Sequence, residues 1–127
     1  MENKTPVLTI VAKLVTTSLA IIIVAYMLPG VKVESALSAI GIAIVLAILN
    51  FFVKPLLVLL TLPITILTLG LFLIVVNALI ILLAAEIVPG FAIDGFWWAV
   101  LFSIILSIVV SILESLQMAA SGKNQKD

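Results

Sequence analysis

The first long apolar run of the chain extends from Val7 to Leu28 and reads VLTIVAKLVTTSLAIIIVAYML. Lys13 is its single charged residue, and the run ends at the helix-breaking pair Pro29-Gly30. Because an α-helix rises about 1.5 Å per residue, the run is long enough to cross a hydrocarbon core about 30 Å thick. It is longer than the apolar part of a secretory signal peptide, and no small-residue cleavage site follows it. We therefore predict a retained transmembrane helix.

The composition of the whole chain indicates the same environment. Of its 127 residues, 65% are hydrophobic and 9% are charged, and the basic and acidic residues balance. Soluble domains are about 45–50% apolar, so the lipid bilayer has to cover the excess apolar surface. The chain contains no Cys, His or Arg, which excludes thiolate zinc sites and Cys or His catalysis and gives no reason to expect nucleic-acid binding. We predict a protein that is not an enzyme, with no cofactor, no metal and no identifiable small-molecule ligand.

The apolar segments that follow predict three more transmembrane helices. They cover residues 36–53, 70–88 and 96–116. Residues 54–69 form a connector, and residues 121–127 form a polar C-terminal tail. The stretch 56–88 carries one charge, Glu86, and is too long for one crossing but too short for two crossings and a turn. We predict that residues 56–69 form a short non-crossing segment at the inner face; a five-span protein in which they cross is the alternative.

The distribution of lysines predicts the orientation of these spans. With both termini inside, the lysines on the cytoplasmic side are Lys4, Lys54, Lys123 and Lys126. Lys32 alone then lies outside, in agreement with the excess of basic residues in cytoplasmic loops. Trp97 and Trp98 begin the fourth span at the outer interface, where tryptophan is enriched. We predict a multi-pass protein of a bacterial cytoplasmic membrane, with both termini cytoplasmic and the lipid bilayer as its main partner.

The chain repeats itself sixty positions later. The sequence LPGVKVE at residues 28–34 corresponds to VPGFAID at residues 88–94, and identities such as Ala39 and Ala99 continue on either side. Each unit contains two spans, so both units have the same orientation in the membrane. The predicted fold is therefore an all-α integral membrane bundle of two tandem, parallel two-helix repeats, related by a pseudo-two-fold axis along the membrane normal.

Small residues recur at four-residue spacing in the second and fourth spans. These candidates for helix packing are Ala39, Ala43 and Ala47, followed by Ala99, Ser103, Ser107 and Ser111. Small side chains let helix backbones approach closely, which is how helices associate in lipid. We predict that the stripes pack on neighbouring helices, within one chain or in a homo-oligomer. A serine-lined polar path is the alternative, although Ser hydroxyls can instead bond to carbonyl groups of their own helix.

Four polar residues inside the predicted spans are further candidates: Lys13, Asn50, Asn77 and Glu114. Charges within a bilayer are costly and indicate functional sites. Lys13 either pairs with Glu114 across the bundle or extends to the inner headgroups, and its nearness to the inner interface favours the second interpretation. Lys54 and Glu114 occupy equivalent positions in the two repeats. We predict structural roles for both asparagines, with Asn77 hydrogen-bonded to a neighbouring helix.

Polar markers along the chain resemble one bacterial membrane family. They are Asn50, Lys54-Pro55, Leu62-Pro63, Thr68-Leu69-Gly70, Asn77 and Val88-Pro89-Gly90-Phe91. Over about residues 13–111 the chain is similar to the mycobacterial-type four-span phage holins of superfamily IV. The resemblance implies four transmembrane helices and brings no catalytic residues. Holins oligomerise in the cytoplasmic membrane and open lesions that release a cell-wall hydrolase, but many proteins of this family look like chromosomal membrane proteins of unknown role.

Three functions follow from these observations. The first is a structural or envelope-associated membrane protein, which the absence of catalytic motifs and the short loops favour. The second is a holin-like protein that permeabilises the membrane by self-association. The third is a small transporter or channel subunit, which the parallel repeat and the break at Pro63 suggest, because broken segments mark binding sites in transporters.

Overall fold

The computed structural model describes residues 6–126 and the side chains of residues 6–120. In chain order the elements are α1 (Pro6–Met27), β1 (Val31–Val33), α2 (Ala36–Leu60), α3 (Leu62–Leu67), α4 (Phe72–Ile87), β2 (Phe91–Ile93) and α5 (Phe96–Lys126). The three helices α1, α2 and α5 are long and apolar enough to cross a membrane, and α4 is a shorter apolar helix. The predicted all-α membrane architecture is confirmed, and the small β ladder is an addition to the predicted fold.

The four main helices form a closed ring in the order α1, α2, α4 and α5. Helix α1 packs on α2 and α5, and α4 packs on the same two helices from the other side of the bundle. Helices that are related by the sequence repeat, α1 with α4 and α2 with α5, therefore lie across the bundle from each other. This is the arrangement that a pseudo-two-fold axis along the bundle requires.

The strands β1 and β2 pair in antiparallel fashion at one end of the bundle, which we call the ladder end. The paired residues are Val31 with Ile93, Lys32 with Ala92, and Val33 with Phe91. Two flanking bonds extend the ladder, from the Glu34 amide to the Gly90 carbonyl and from the Asp94 amide to the Gly30 carbonyl, each 2.9 Å long. Exchanging the two repeats reproduces every pairing, so the local two-fold axis passes between the central pair.

Each strand is short, but a sequence signal for it exists. Val31, Lys32 and Val33 alternate apolar and polar side chains, and burial alternates in the same way along both strands. Backbone groups between two apolar helices need partners, since unpaired groups near a membrane are costly. Pairing the two equivalent turns with each other supplies those partners.

The core lies beneath the ladder and follows the repeat. The completely buried apolar side chains include Ile21 and Val24, which are neighbours on α1. They also include two pairs at equivalent positions of the repeats, Ile42 with Phe102 and Ala39 with Ala99. From the middle of α1 through α2, each residue has nearly the same burial as the residue sixty positions later, which lies in α4 or α5. The ladder end is therefore a closely packed apolar core built from both repeats.

Helix α2 is longer than the second predicted span. It continues past Val53 and through Pro55 to Leu60, so much of the segment that was predicted as a connector is helical. A proline in a helix removes one backbone hydrogen bond and introduces a local clash, but it does not always end the helix. The predicted non-crossing course of residues 56–69 stays a prediction.

The chain breaks between α3 and α4, at the point where the third span was predicted to begin. Leu69 and Gly70 have positive φ angles of 57° and 91°, and the Gly70 amide donates to the Thr65 carbonyl at 2.8 Å, which closes α3. The Thr68 hydroxyl accepts a hydrogen bond from the Phe72 amide at 3.1 Å and so caps the start of α4. The break therefore has its own local hydrogen bonds.

Candidate functional site

A cavity opens in the half of the bundle opposite the ladder, which we call the terminal end because α1 begins there. Its main part, about 480 Å³, lies between α1, α2 and α5. A smaller lobe of about 120 Å³ lies between α2, α4 and α5. Leu46, Asn50, Leu106 and Ser107 line both parts, and we call the two together the terminal cavity. Its main part has the volume of a small-molecule site, about 300–1,000 Å³.

All four main helices contribute polar side chains to the terminal cavity. They are Lys13 and Thr17 from α1, Asn50 and Lys54 from α2, Asn77 from α4, and Ser103, Ser107, Ser111 and Glu114 from α5. Several occupy equivalent positions in the two repeats, such as Thr17 and Asn77, or Lys54 and Glu114. The cavity therefore brings together all four of the polar residues that the sequence singled out.

Lys13 and Glu114 form an ion pair across the α1–α5 interface. The lysine Nζ lies 3.2 Å from the glutamate Oε2, although both side chains stay substantially exposed, at 66% and 42%. One turn away, the Gln117 amide donates a 2.8 Å hydrogen bond to the Thr16 hydroxyl. The structure thus favours pairing over a lysine that extends to the headgroups, which the sequence had favoured, because α5 places the carboxylate within reach.

Asn77 does not make the interhelical hydrogen bond that the sequence predicted. Its half-buried side chain lines the smaller lobe of the cavity and bonds to no other residue of the described part of the chain. The more exposed Asn50 lines both parts of the cavity and likewise has no hydrogen-bond partner among these residues. Both amides are consequently available to whatever occupies the cavity.

The small-residue stripes divide into a buried part and an exposed part. Ala39, Ala43, Ala99 and Ser103 are buried, and Ala43 and Ser103 also border the terminal cavity. Ser103 also donates a 2.9 Å bond to the Val100 carbonyl of its own helix. The remaining members, Ala47, Ser107 and Ser111, are exposed and line the terminal cavity. Their small side chains leave space here, so their predicted role in packing stays a prediction.

The terminal cavity combines polar side chains with apolar walls. Within residues 6–126, no group of three or more His, Cys, Asp or Glu side chains could hold a metal ion. The cavity instead offers one ion pair, a further lysine, two amides and four hydroxyls between apolar walls. Such a surface fits a ligand that has both a polar and an apolar part.

The ion pair is expected to contribute little to stability. We expect a double-mutant cycle of Lys13→Gln and Glu114→Gln to give a coupling free energy of about 0.5 kcal/mol, as for other exposed pairs. Thermal unfolding of the single and double variants in mild detergent measures it. A coupling above about 2 kcal/mol would mean that lipid rather than water surrounds the pair.

Comparison with known proteins places the chain in a family. Residues 8–112 match the family described as "Mycobacterial 4 TMS phage holin, superfamily IV", a range that reaches from α1 well into α5. The chain belongs to this family, which confirms the resemblance found in the sequence. It is a multi-pass membrane protein of bacterial type, and the four-span architecture of the family agrees with the four main helices.

Two relatives illustrate the family. The "Uncharacterized membrane protein YvlD" of Bacillus subtilis is 43% identical over 99 residues, which cover 77% of this chain and 82% of the relative. The "Uncharacterized protein SCO3922" of Streptomyces coelicolor is 48% identical over 80 residues, which cover 60% of this chain and 64% of the relative. No solved structure matches the chain. Neither relative's name assigns an activity.

Proposed function

We propose that the protein is a non-catalytic, envelope-associated protein of the bacterial cytoplasmic membrane that acts through its terminal cavity. The observation that carries this proposal is the contrast between the two ends of the bundle. One end is an apolar core closed by the ladder, and the other opens into a polar cavity. A single chain therefore has the form of a binding protein rather than that of a channel.

The closed ladder end opposes conduction through one bundle. Ile21, Val24, Ile42 and Phe102 are completely buried there and fill the space between the helices. A hollow of about 500 Å³ beside β1 shares no lining residue with the terminal cavity within the described part of the chain. The groove along α1 and α2 that borders both spaces is apolar except for Ser18. An ion leaving the cavity would have to cross packed apolar side chains without its hydration shell, which is strongly unfavourable.

The proposal includes the orientation of the bundle. Lys13 and Lys54 lie at the terminal end and Lys32 at the ladder end, and this excess of lysines supports an orientation in which the terminal cavity faces the cytoplasm. Lys4 lies outside the described residues, as do the side chains of Lys123 and Lys126. Both termini and the cavity then face the cytoplasm, and the ladder faces outward.

We expect strong expression of the chain to leave the membrane potential of the cells unchanged. The reason is that the closed core blocks ion flow through each copy. A voltage-sensitive dye measures the potential after induction, and membrane fractionation confirms that the protein has accumulated.

Cells that carry the empty vector provide the baseline, and an added ionophore shows that the dye responds. A rapid collapse of the potential would contradict the proposal and favour holin-like lesions formed by several copies. The variant Ala47→Leu would then test the mechanism, since it enlarges an exposed small residue of the α2 stripe and should slow a collapse that depends on close helix association.

A further inference from the structure

We infer that the terminal cavity binds the phosphate group of an anionic membrane lipid, and that Lys54 recognises its charge. This inference rests on the proposed role of the cavity and names the partner that the cavity would take. Three independent features of the cavity support it: its charge, its unpaired hydrogen-bond donors and its apolar walls.

The charge of the cavity is unbalanced by one lysine. Lys13 is paired with Glu114 at 3.2 Å, so these two charges compensate each other. Lys54 lines the smaller lobe, is half-buried, and has no ion-pair partner among the residues that the structure describes. A partly desolvated ammonium group is stabilised by a nearby negative charge. The complement of the site is therefore a ligand with a single negative charge.

The sequence repeat shows why the site exists once rather than twice. The position of Lys54 in the first repeat is occupied by Glu114 in the second, and Lys13 neutralises that carboxylate. Asn50 is likewise replaced by Val110. The bundle is nearly two-fold symmetric in packing but not in charge, so only the lobe beside Lys54 is suited to an anion.

Two amide side chains complete the polar part of the site. Asn50 and Asn77 line the same lobe as Lys54, from α2 and α4, and neither bonds to another residue within the described part of the chain. Each amide offers two N–H donors, and phosphate oxygens are strong acceptors. A phosphate beside Lys54 can therefore accept hydrogen bonds that the protein leaves unmade.

The apolar walls favour a lipid over a soluble phosphate. Ile10, Leu14, Leu46, Leu106 and Val110 surround the main part of the cavity. A small hydrated anion gains nothing from these surfaces, whereas an acyl chain or glycerol backbone can pack against them. Basic pockets between transmembrane helices on the cytoplasmic side are a known setting for anionic headgroups, and the proposed orientation faces the cavity to that side.

The test compares the binding of lipids of equal chain length to the purified full chain in a neutral detergent. Phosphatidylglycerol carries the phosphate monoanion, phosphatidylcholine has the same phosphate with a compensating cation, and inorganic phosphate lacks the apolar part. Native mass spectrometry measures each affinity. We expect phosphatidylglycerol to bind in preference to phosphatidylcholine, and Lys54→Gln to lower its affinity about tenfold, as for the loss of one charge-assisted contact.

Two matched variants distinguish recognition of the lipid by Lys54 from an effect of overall protein charge and from an effect on folding. Lys32→Gln removes the same charge at the ladder end, away from the cavity, and should leave the lipid preference unchanged. Lys54→Arg keeps the charge and should retain most of the affinity. Rescue by arginine would show that Lys54→Gln acts through charge rather than through misfolding.

Equal binding of the two lipids, or equal losses in Lys54→Gln and Lys32→Gln, would overturn the inference. If inorganic phosphate bound in a Lys54-dependent way and phosphatidylglycerol showed no preference over phosphatidylcholine, the ligand would be a soluble phosphate, and the inference of a lipid would be wrong. The membrane-potential assay tests the proposed function independently of the lipid-binding measurement. A steady potential without lipid preference removes the ligand and keeps the proposed function, whereas a collapse removes the proposed function whatever the lipid result.

Discussion

Replacing Gly30 by alanine is expected to destabilise the bundle by about 3 kcal/mol, because the new methyl group would occupy the position of the Trp98 ring. The overlap involves the inner atoms of the indole rather than its far edge, so a small side-chain rotation cannot relieve it. Gly30 is not among the residues with a positive φ angle, which leaves steric overlap as the cause. Thermal unfolding in mild detergent measures the loss.

Two comparisons make this prediction specific. Gly41→Ala is the control, since its added Cβ would lie 3.6 Å from Val88, an ordinary contact, and alanine favours the helix. In the background of Trp98→Ala, the Gly30→Ala change should cost little because the ring is gone. A loss of equal size with and without the tryptophan would mean that the clash is not the cause.

The contact at Gly30 has an equivalent in the other repeat. A Cβ added at Gly90 would lie 2.6 Å from the Ser38 hydroxyl, and Ser38 and Trp98 occupy the same position in their repeats. Each Pro-Gly turn thus packs against the first turns of the helix that belongs to the other repeat. The glycines allow the two units to approach closely enough for the ladder to form.

Truncation of Phe102 to alanine is expected to cost about 3 kcal/mol, the lower end of the range for a buried phenylalanine. Its side chain is completely buried, and its ring contacts Phe91 of β2 with centroids 5.7 Å apart. The loss comes mainly from packing, because lipid tails are as apolar as the core and supply little hydrophobic driving force. The closely packed side chains at the ladder end cannot move far enough to fill the void. Thermal or detergent-induced unfolding gives the size of the effect.

Phe51→Ala provides the matched control for Phe102→Ala. Phe51 is 73% exposed on α2, so its removal leaves no cavity and should change stability by less than about 0.5 kcal/mol. Similar losses for the two variants would mean that the ladder end is loosely packed. That result would also weaken the argument that a single bundle is closed to ions.

The sequence by itself determined the class of the protein and its symmetry. The apolar run that ends at Leu28 requires a bilayer whatever the tertiary arrangement, because only lipid can cover so much apolar surface. The second occurrence of the Pro-Gly turn, at Pro89-Gly90, predicts two equivalent units, since the same local sequence makes the same turn. The family resemblance was carried by polar and turn residues, which apolar helices rarely share by chance.

Only the tertiary structure decided what the polar residues do. Hydropathy places Lys13, Asn77 and Glu114 in spans, but it does not tell which helix faces which. The ring order of the helices brings Lys13 to Glu114 and aims Asn77 at a cavity instead of a neighbouring helix. It also leaves Lys54 without an ion-pair partner among the residues that the structure describes. These outcomes depend on distances between helices far apart in the chain, and no local pattern of residues fixes such distances.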